Sequence, residues 1–125
     1  MFNLKGRVAV ITGASSGLGR QMAKCFAIQG ADLVILARRV EKLEELKEEL
    51  KDTGVKILPI KCDVTSSEDV NNAAELAEKE FGKIDILVNC AGSSKDKGVL
   101  DMQDDEWDFT IQTDLTSVFK MTRAF

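Results

Sequence analysis

The sequence predicts an α/β fold with a doubly wound parallel sheet, in which each strand is followed by a helix. Apolar runs short enough to be strands alternate four times with longer segments of helical periodicity. The first run, 7–12, is continuously apolar after its arginine, as is typical of a strand buried on both faces. A glycine- and serine-rich turn, 13–19, joins this run to the first helix.

The first helix and the second strand follow from apolar spacing and a glycine stop. We expect the buried face of this helix to consist of Leu18, Met22, Cys25 and Phe26. Gly30, a residue type that commonly follows a helix C-terminus, ends the helix. The apolar run 32–37 is predicted to be the second strand.

The second helix is predicted over 40–53, where one apolar stripe runs through a strongly charged segment. The stripe consists of Val40, Leu43, Leu46 and Leu50. Two heptads are too few to favour a coiled coil. We therefore interpret the segment as a solvated helix that covers the sheet and ends at Gly54.

A third strand is predicted at 56–61, although Pro59 has no N–H to donate and is unusual in a central strand. Ser66 or Ser67 then caps a third helix, which ends at Gly82. The expected buried face of this helix consists of Val70, Ala73, Ala74, Ala77 and Phe81.

The last part of the chain is predicted to contain a fourth strand at 84–89, a polar loop at 93–101 and a helix over 104–125. The apolar residues at helical spacing in this helix are Trp107, Ile111, Leu115, Val118 and Phe119. The helix has no stop signal, and Phe125 falls within its apolar pattern. We therefore expect 1–125 to be an incomplete domain, truncated after the fourth strand and the following helix.

Composition limits the classes of function. A chain of 125 residues suits one domain, and its net charge of −4 argues against nonspecific nucleic-acid binding, which needs a basic surface. No apolar run approaches the ~18 residues of a membrane span, and no signal-peptide pattern precedes the first strand. The absence of histidine excludes a histidine-based metal site or catalytic triad, and we expect no metal.

The number and spacing of the cysteines indicate the cellular compartment of the protein. Cys25, Cys62 and Cys90 lie far apart in apolar or strand-like runs, without Cys-x-x-Cys spacing. An odd number of such residues is typical of free, buried thiols in a reducing environment, so we expect a cytoplasmic protein.

The turn after the first strand has the features of a Rossmann-type phosphate loop. Gly13 permits a sharp turn, Gly17 has no side chain to block a pyrophosphate, and Gly19 lets the helix pack close to the sheet. The free N–H groups at the helix start favour an anion, and Ser15 and Ser16 can add hydroxyl donors. A tight turn with serine caps is the alternative interpretation. A Walker loop is excluded because no Gly-Lys-Ser/Thr follows.

Three ordered motifs resemble those of the short-chain dehydrogenase/reductase family, over the whole chain. The motif Thr-Gly-x-x-x-Gly-x-Gly matches 12–19. The motif Asn-Asn-Ala-Gly matches 89–92, with Cys90 in place of the second Asn, and an Asp after the third strand matches Asp63. The chain is similar to the cofactor-binding half of such enzymes, including members like gluconate 5-dehydrogenases and 3-oxoacyl carrier-protein reductases.

The resemblance implies a nicotinamide dinucleotide as cofactor. The phosphate loop would comprise Gly13, Ser15, Ser16, Gly17, Leu18 and Gly19. Asp63 would accept a hydrogen bond from the adenine amino group, with Val64 beside the ring; a turn or capping role is the alternative for Asp63. Residues Asn89, Ala91 and Gly92 would line the ribose and stabilise the central strand.

The end of the second strand favours NADP(H) over NAD(H). NAD-binding proteins usually carry an acidic residue there, which accepts from the ribose 2′-OH and repels a 2′-phosphate. Here the neutral Ala37 is followed by Arg38 and Arg39, whose guanidinium groups can pair with a phosphate. We expect Arg38 to be the main contact. The alternative is that both arginines pair with helix glutamates such as Glu41.

The residues that would perform the family's chemistry are largely missing. The family uses a Tyr-x-x-x-Lys pair, a serine and a helix asparagine, and this sequence contains no tyrosine. Asp114 occupies the asparagine position; it can accept a hydrogen bond from a relay water, but an ionised carboxylate cannot donate one. A polar residue at a helix kink is the alternative for Asp114. The segment 93–95 could border a substrate entrance, although a solvated loop is the favoured interpretation.

Three functional hypotheses remain. The first is an NADP(H)-dependent oxidoreductase that acts on a small carbonyl or alcohol substrate, whose catalytic half lies outside this sequence. The second is a non-catalytic nucleotide-binding module, and the third is a truncated fragment without a stable function. The resemblance also implies a homo-oligomer, a tetramer or a dimer formed through the last helix.

Overall fold

The computed structural model describes residues 3–92 and 97–125, and this part of the chain contains a four-stranded parallel sheet. The strands are β1 (Val8–Thr12), β2 (Asp32–Ala37), β3 (Ile57–Lys61) and β4 (Ile86–Val88). Their order in the sheet is β3-β2-β1-β4. The helices are α1 (Gly17–Ile28), α2 (Val40–Glu49), α3 (Ser67–Phe81), α4 (Asp104–Ile111) and α5 (Ser117–Ala124). The predicted doubly wound α/β fold is confirmed.

Alternate residues of each strand pack on opposite faces of the sheet. Ala9 and Ile11 of β1 belong to a core cluster that includes residues of α1 and α2. Val8 and Val10 belong to a second cluster that includes residues of α3 and α5. Every residue of β1 is buried, which explains why its sequence lacks the alternation of a half-exposed strand.

The predicted buried face of α1 is wrong at two of its four positions. Leu18 and Cys25 are exposed, Met22 and Phe26 are partly buried, and the fully buried residues are Gly19, Ala23 and Ala27. The start of the helix lies close to the loop after β1, since a Cβ on Gly19 would lie 2.3 Å from the Gly13 carbonyl oxygen. A side chain does not fit at that point, and the neighbouring Leu18 is exposed.

The cysteines are all free, as expected, but they are not all buried. Cys62 is buried, Cys90 is partly buried and Cys25 is exposed. Burial, together with the negative charges of Asp69 and Asp63, raises the pKa of the Cys62 thiol to about 12. Cys62 is therefore protonated at neutral pH and behaves as a small apolar side chain.

The second helix ends earlier than predicted, whereas the third helix begins and ends where the sequence predicts. The α-helix α2 stops at Glu49 and is followed by a 3₁₀ turn over Lys51–Thr53, with Gly54 in the left-handed conformation. In α3, the Ser66 side chain accepts from the Asp69 N–H as an N-cap, and Gly82 forms the left-handed C-cap.

Pro59 lies within β3, and the sheet order explains why it is tolerated. In the described sheet β3 pairs only with β2. The Leu33 N–H donates to the Lys56 carbonyl, and the Cys62 N–H donates to the Ala37 carbonyl. The even-numbered residues of β3 therefore direct their backbone groups toward β2. Pro59 belongs to the outward set, so its missing N–H removes no hydrogen bond from this ladder.

The last segment forms one helical stretch interrupted by a π-helical turn over Gln112–Thr116. Its buried residues are Thr113, Ser117 and Met121, which lie four residues apart. Four of the five apolar residues predicted at helical spacing are exposed: the relative accessibility is 58% for Trp107, 64% for Leu115, 38% for Val118 and 59% for Phe119. The solvent-facing side of this helix is thus unusually apolar.

Neither a membrane-spanning helix nor a metal-binding cluster occurs in residues 3–92 and 97–125. No helix there combines the length and the apolar character that crossing a membrane requires. No group of three or more histidine, cysteine, aspartate or glutamate side chains in these ranges is arranged to hold a metal ion.

The Asp85 carboxylate links the amino ends of β1 and β4. Asp85 accepts from the Val8 N–H at 2.9 Å and pairs with Lys83 at 2.9 Å and Arg7 at 3.6 Å. The Lys83 hydrogen bond, followed by the Val8 N–H, lowers the pKa of Asp85 below its ordinary value of 3.8. The carboxylate therefore stabilises the fold above that value, and this contribution is lost as the pH falls through the lowered pKa.

We expect Asp85→Asn to lower the free energy of unfolding at pH 7, because the amide loses the ion pairs. The difference from the parent should shrink as the pH falls below 3.8, where the parent's carboxylate is protonated in the unfolded state and progressively in the folded state. Urea unfolding at several pH values measures it. Asp52→Asn, at an exposed position in the 3₁₀ turn, is the control. A difference that does not change with pH would contradict this account.

Candidate nucleotide-binding site

A cleft of about 450 Å³ lies at the carboxyl ends of the strands. Because β1 has β2 on one side and β4 on the other, the loops after β1 and β4 meet where the connections change direction, the usual ligand position in doubly wound sheets. Of the residues predicted to bind a cofactor, those lining the cleft are Gly13, Ser15, Ser16, Gly17, Leu18, Gly19, Arg38, Arg39, Asp63, Val64, Ala91 and Gly92. Asn89 does not line it.

The glycine loop packs against the loop after β4 without room for a side chain. Gly13 has φ +63°, and a Cβ there would lie 2.8 Å from the Ala91 nitrogen and 2.8 Å from the Cys90 carbonyl oxygen. Since real Cβ atoms do not approach backbone so closely, only glycine satisfies both the backbone conformation and the packing. The two loops therefore form one continuous wall of the cleft.

Thr12, the first residue of the motif over 12–19, joins the same two loops through hydrogen bonds of its side chain. Its hydroxyl oxygen accepts from the backbone N–H groups of Cys90 and Ala91, both at 3.0 Å. Thr12 is fully buried, and its hydroxyl oxygen satisfies both backbone donors. The threonine that opens the Thr-Gly-x-x-x-Gly-x-Gly motif was the available signal.

The start of α1 provides an opening for an anion. Gly17 has φ +57°, and nothing lies within 4 Å of the position that a Cβ would take, so the space in front of the helix start is open. Ser16 occupies the N-cap, but its side chain makes no capping hydrogen bond, and the first turn of α1 contains no acidic residue. Unpaired backbone N–H groups and the helix dipole there favour a negatively charged group.

Arg38 and Arg39 are exposed at the end of β2 and line the cleft. Within the described residues neither arginine forms an ion pair, so the alternative pairing with Glu41 is not observed. Both guanidinium groups are therefore available to a ligand at the edge of the cleft. The neutral Ala37 is the buried residue that precedes them.

Asp63 is held as an ionised hydrogen-bond acceptor. Its Oδ1 accepts from the Thr65 hydroxyl at 2.7 Å and from the Thr65 N–H at 2.9 Å. The Thr65 hydroxyl is the largest cause of a lowered pKa at Asp63, and the charges of Arg38 and Lys120 add to it. Among the described residues Oδ2 has no hydrogen-bond partner.

Asp114 lies in the π-helical turn and beside the loop after β4, but it does not line the cleft. A Cβ on Gly92 would be 3.2 Å from its Oδ1, so the carboxylate approaches the backbone closely where glycine leaves space. The predicted loop residues Ser93, Ser94 and Lys95 lie outside the described residues.

Several residues of the cleft wall were not predicted to bind a cofactor. Thr65 follows Val64, Cys90 lies within the 89–92 motif, and Phe109 and Thr113 come from the last helical segment. The Thr113 hydroxyl oxygen is buried and has no hydrogen-bond partner within the described part of the chain. These contacts depend on how the last helix returns across the sheet.

Comparison with known proteins identifies the family, since the family model described as short chain dehydrogenase matches residues 7–125. The chain belongs to the short-chain dehydrogenase family. It is 42% identical to nodulation protein G of Rhizobium sp. (strain N33), covering 98% of this chain and 49% of that protein. It is 38% identical to the NADP-dependent mannitol dehydrogenase of Alternaria alternata, covering 99% of this chain and 48% of that enzyme.

The structural comparison agrees with the short-chain dehydrogenase assignment. The crystal structure of L-sorbose reductase from Gluconobacter frateurii, complexed with NADPH and L-sorbose, matches with a TM-score of 0.94 and 36% identity, covering 99% of this chain and 48% of that one. The chain thus spans about half the length of these relatives. Short-chain dehydrogenases are oxidoreductases that use nicotinamide cofactors, and the cleft lies where doubly wound folds hold a dinucleotide.

We expect Gly19→Ala to lower the free energy of unfolding by about 1–3 kcal/mol, the usual cost of overpacking. The added methyl group would lie 2.3 Å from the Gly13 carbonyl oxygen, so α1 or the loop must move. Urea unfolding measures the effect.

Gly98→Ala is the matched control, because nothing lies within 4 Å of a Cβ at that position. We expect this control to change stability by less than about 0.5 kcal/mol. Equal stability of the two variants would show that α1 does not need its close approach to the loop.

Proposed function

We propose that this chain is the dinucleotide-binding half of an NADP(H)-dependent short-chain dehydrogenase. The complete enzyme would transfer hydride between the nicotinamide and a small carbonyl or alcohol substrate. The observation that carries the proposal is the position of Arg38 and Arg39, without ion-pair partners in the described chain, at the edge of a cleft already suited to a dinucleotide. The three free cysteines favour a cytoplasmic location for this protein.

The residues of the cleft fit each part of such a cofactor. The open space before Gly17 and the N–H groups of α1 suit the pyrophosphate. The ionised Asp63 and the buried Val64 suit an adenine ring, whose amino group is a donor and whose faces are apolar. Ala91 and Gly92 suit the ribose beyond them. When bound, the nicotinamide supplies the hydride chemistry.

The charge at the end of β2 supports NADP(H) rather than NAD(H). A 2′-phosphate near Arg38 can form charge-assisted hydrogen bonds with its guanidinium group, and the neutral Ala37 offers no carboxylate to repel it. Two of the relatives are described with this cofactor: the Alternaria mannitol dehydrogenase is NADP-dependent, and the Gluconobacter sorbose reductase was complexed with NADPH.

The proton donor of the reaction is proposed to lie in the other half of the protein. The sequence has no tyrosine, so the family's Tyr-x-x-x-Lys pair cannot come from residues 1–125. Asp114, placed beside Gly92 on the side of the loop after β4, is the candidate for the relay position of the family. A carboxylate there could accept a hydrogen bond from a relay water.

We expect Arg38→Asp to weaken NADPH binding by roughly 30-fold, about 2 kcal/mol, and to leave NADH binding nearly unchanged. The variant removes the guanidinium partner of the 2′-phosphate and adds a like charge beside it. Titration calorimetry with both cofactors measures the ratio of their dissociation constants. Arg39→Asp should have the smaller effect.

Lys47→Asp is the matched control, because it makes the same charge change on the exposed side of α2, away from the cleft. An unchanged NADPH to NADH ratio in Arg38→Asp would overturn the NADP(H) assignment. Binding of neither cofactor by the parent would overturn the nucleotide-binding function as a whole.

We also propose that the exposed apolar side of the last helix binds a second copy of this chain. Leu115, Val118 and Phe119 line a groove there, and the Arg123 guanidinium stacks over the Phe119 ring at 4.7 Å. An apolar surface of this kind, rimmed by polar residues, is typical of a protein–protein interface. The complete protein would be a homodimer or a homotetramer.

We expect Phe119→Glu to convert the assembly to a smaller species, because a charge would be buried without a partner. Light scattering after size-exclusion chromatography measures the molar mass. Ile28→Glu is the matched control, since Ile28 is an exposed apolar residue on α1, outside this surface. The same molar mass in both variants and the parent would place the interface elsewhere.

A further inference from the structure

Hydrogen bonds with α3 and with α5 fix the position of the loop after β3. On the α3 side, the Asp63 N–H donates to Asp69 Oδ2 at 2.9 Å, and the Ser66 N–H donates to the Asp63 carbonyl at 2.9 Å. These contacts belong to the N-cap of α3 and fix the backbone at Asp63.

The other support comes from the far end of the chain. The Lys120 ammonium group donates to the Thr65 carbonyl oxygen at 2.8 Å, from a residue 55 positions later. Lys120 precedes Met121, which is fully buried against the sheet, so the position of the lysine is set by the packing of α5. Lys120 thus fixes Thr65, whose hydroxyl and N–H in turn hold Asp63 Oδ1.

The two oxygens of the Asp63 carboxylate have different surroundings. Oδ1 is occupied by two donors from Thr65, whereas Oδ2 has no partner among the described residues of a cleft that Asp63 lines. An ionised carboxylate accepts hydrogen bonds and cannot donate them. A ligand group at Oδ2 must therefore be a donor, such as the exocyclic amino group of a purine.

We propose that Thr65 and Lys120 are positioning residues that set the base specificity of the cleft. By holding the Asp63 carboxylate, they make a 6-amino purine bind in preference to a 6-oxo purine, whose carbonyl oxygen faces the carboxylate as a second acceptor. This inference rests on the proposed dinucleotide function and extends it to two residues that lie outside the cofactor motifs.

The test uses NADPH and its deaminated analogue, in which hypoxanthine replaces adenine. We expect the parent chain to bind NADPH at least about 10-fold more tightly than the analogue. In the analogue, the 6-oxo oxygen and the Asp63 carboxylate would face each other as two acceptors without a donor, which is costly in a partly buried site. In Thr65→Val and in Lys120→Met this ratio should fall at least about fivefold, while the affinity for the analogue should change less than about twofold. Thr65→Ser and Lys120→Arg, which keep the donors, should restore the ratio.

Two matched controls make the same substitutions elsewhere. Thr53→Val removes a hydroxyl that donates to the Leu50 carbonyl, far from the cleft. Lys83→Met removes an ammonium group that donates to the Gly6 carbonyl at the opposite end of the sheet. Both controls should keep the parent's ratio, because neither bond reaches Asp63.

The outcomes separate this inference from the proposed function. A parent that discriminates between the bases, with variants that keep its ratio, would overturn the positioning role and leave the dinucleotide function intact. A parent that binds neither compound would overturn both. Equal loss of affinity for both compounds in the variants would assign Thr65 and Lys120 to folding of the loop and would also overturn the inference.

Discussion

The contact between the loops after β1 and β4 is the constraint on which the cleft depends. The Thr12 hydroxyl accepts two N–H groups of the β4 loop, and Gly13 lies against the backbone of that loop with no space for a Cβ. Because Gly19 then packs on the Gly13 carbonyl, the start of α1 is set by the same contact. One short stretch of chain therefore determines the position of the first helix and of both loops that line the cleft.

The cleft also keeps two opposite charges apart. Arg38 stands at the edge without an ion-pair partner in the described chain, while the carboxylate of Asp63 is kept ionised mainly by the Thr65 hydroxyl. The charge of Arg38 lowers the pKa of Asp63 through space without an ion pair between them. A direct ion pair would have occupied both groups, and neither would have been available to a ligand.

The strands, the glycine loop and the arginines were accessible from sequence because each depends on local residue types. The buried face of α1 was not, because the residues that bury there, Ala23 and Ala27, are small, whereas apolar spacing gives most weight to large side chains. The Lys120 contact with Thr65 and the position of Thr113 in the cleft wall depend on the last helix, which lies far along the chain. Pro59 was recognised as unusual, but only the strand order shows that it lies on an outer strand.

Because of Pro59, the two outer strands of the described sheet, β3 and β4, differ in their free backbone N–H groups. The outward-facing backbone groups of β3 come from Ile57, Pro59 and Lys61, and the central member of that row lacks a donor. A strand from another molecule would find an interrupted ladder there, a device that natural sheets use against aggregation. The residues of β4 include no proline, and each is only partly buried. Addition of a strand to the described sheet is therefore obstructed by proline beside β3, whereas no proline obstructs it beside β4.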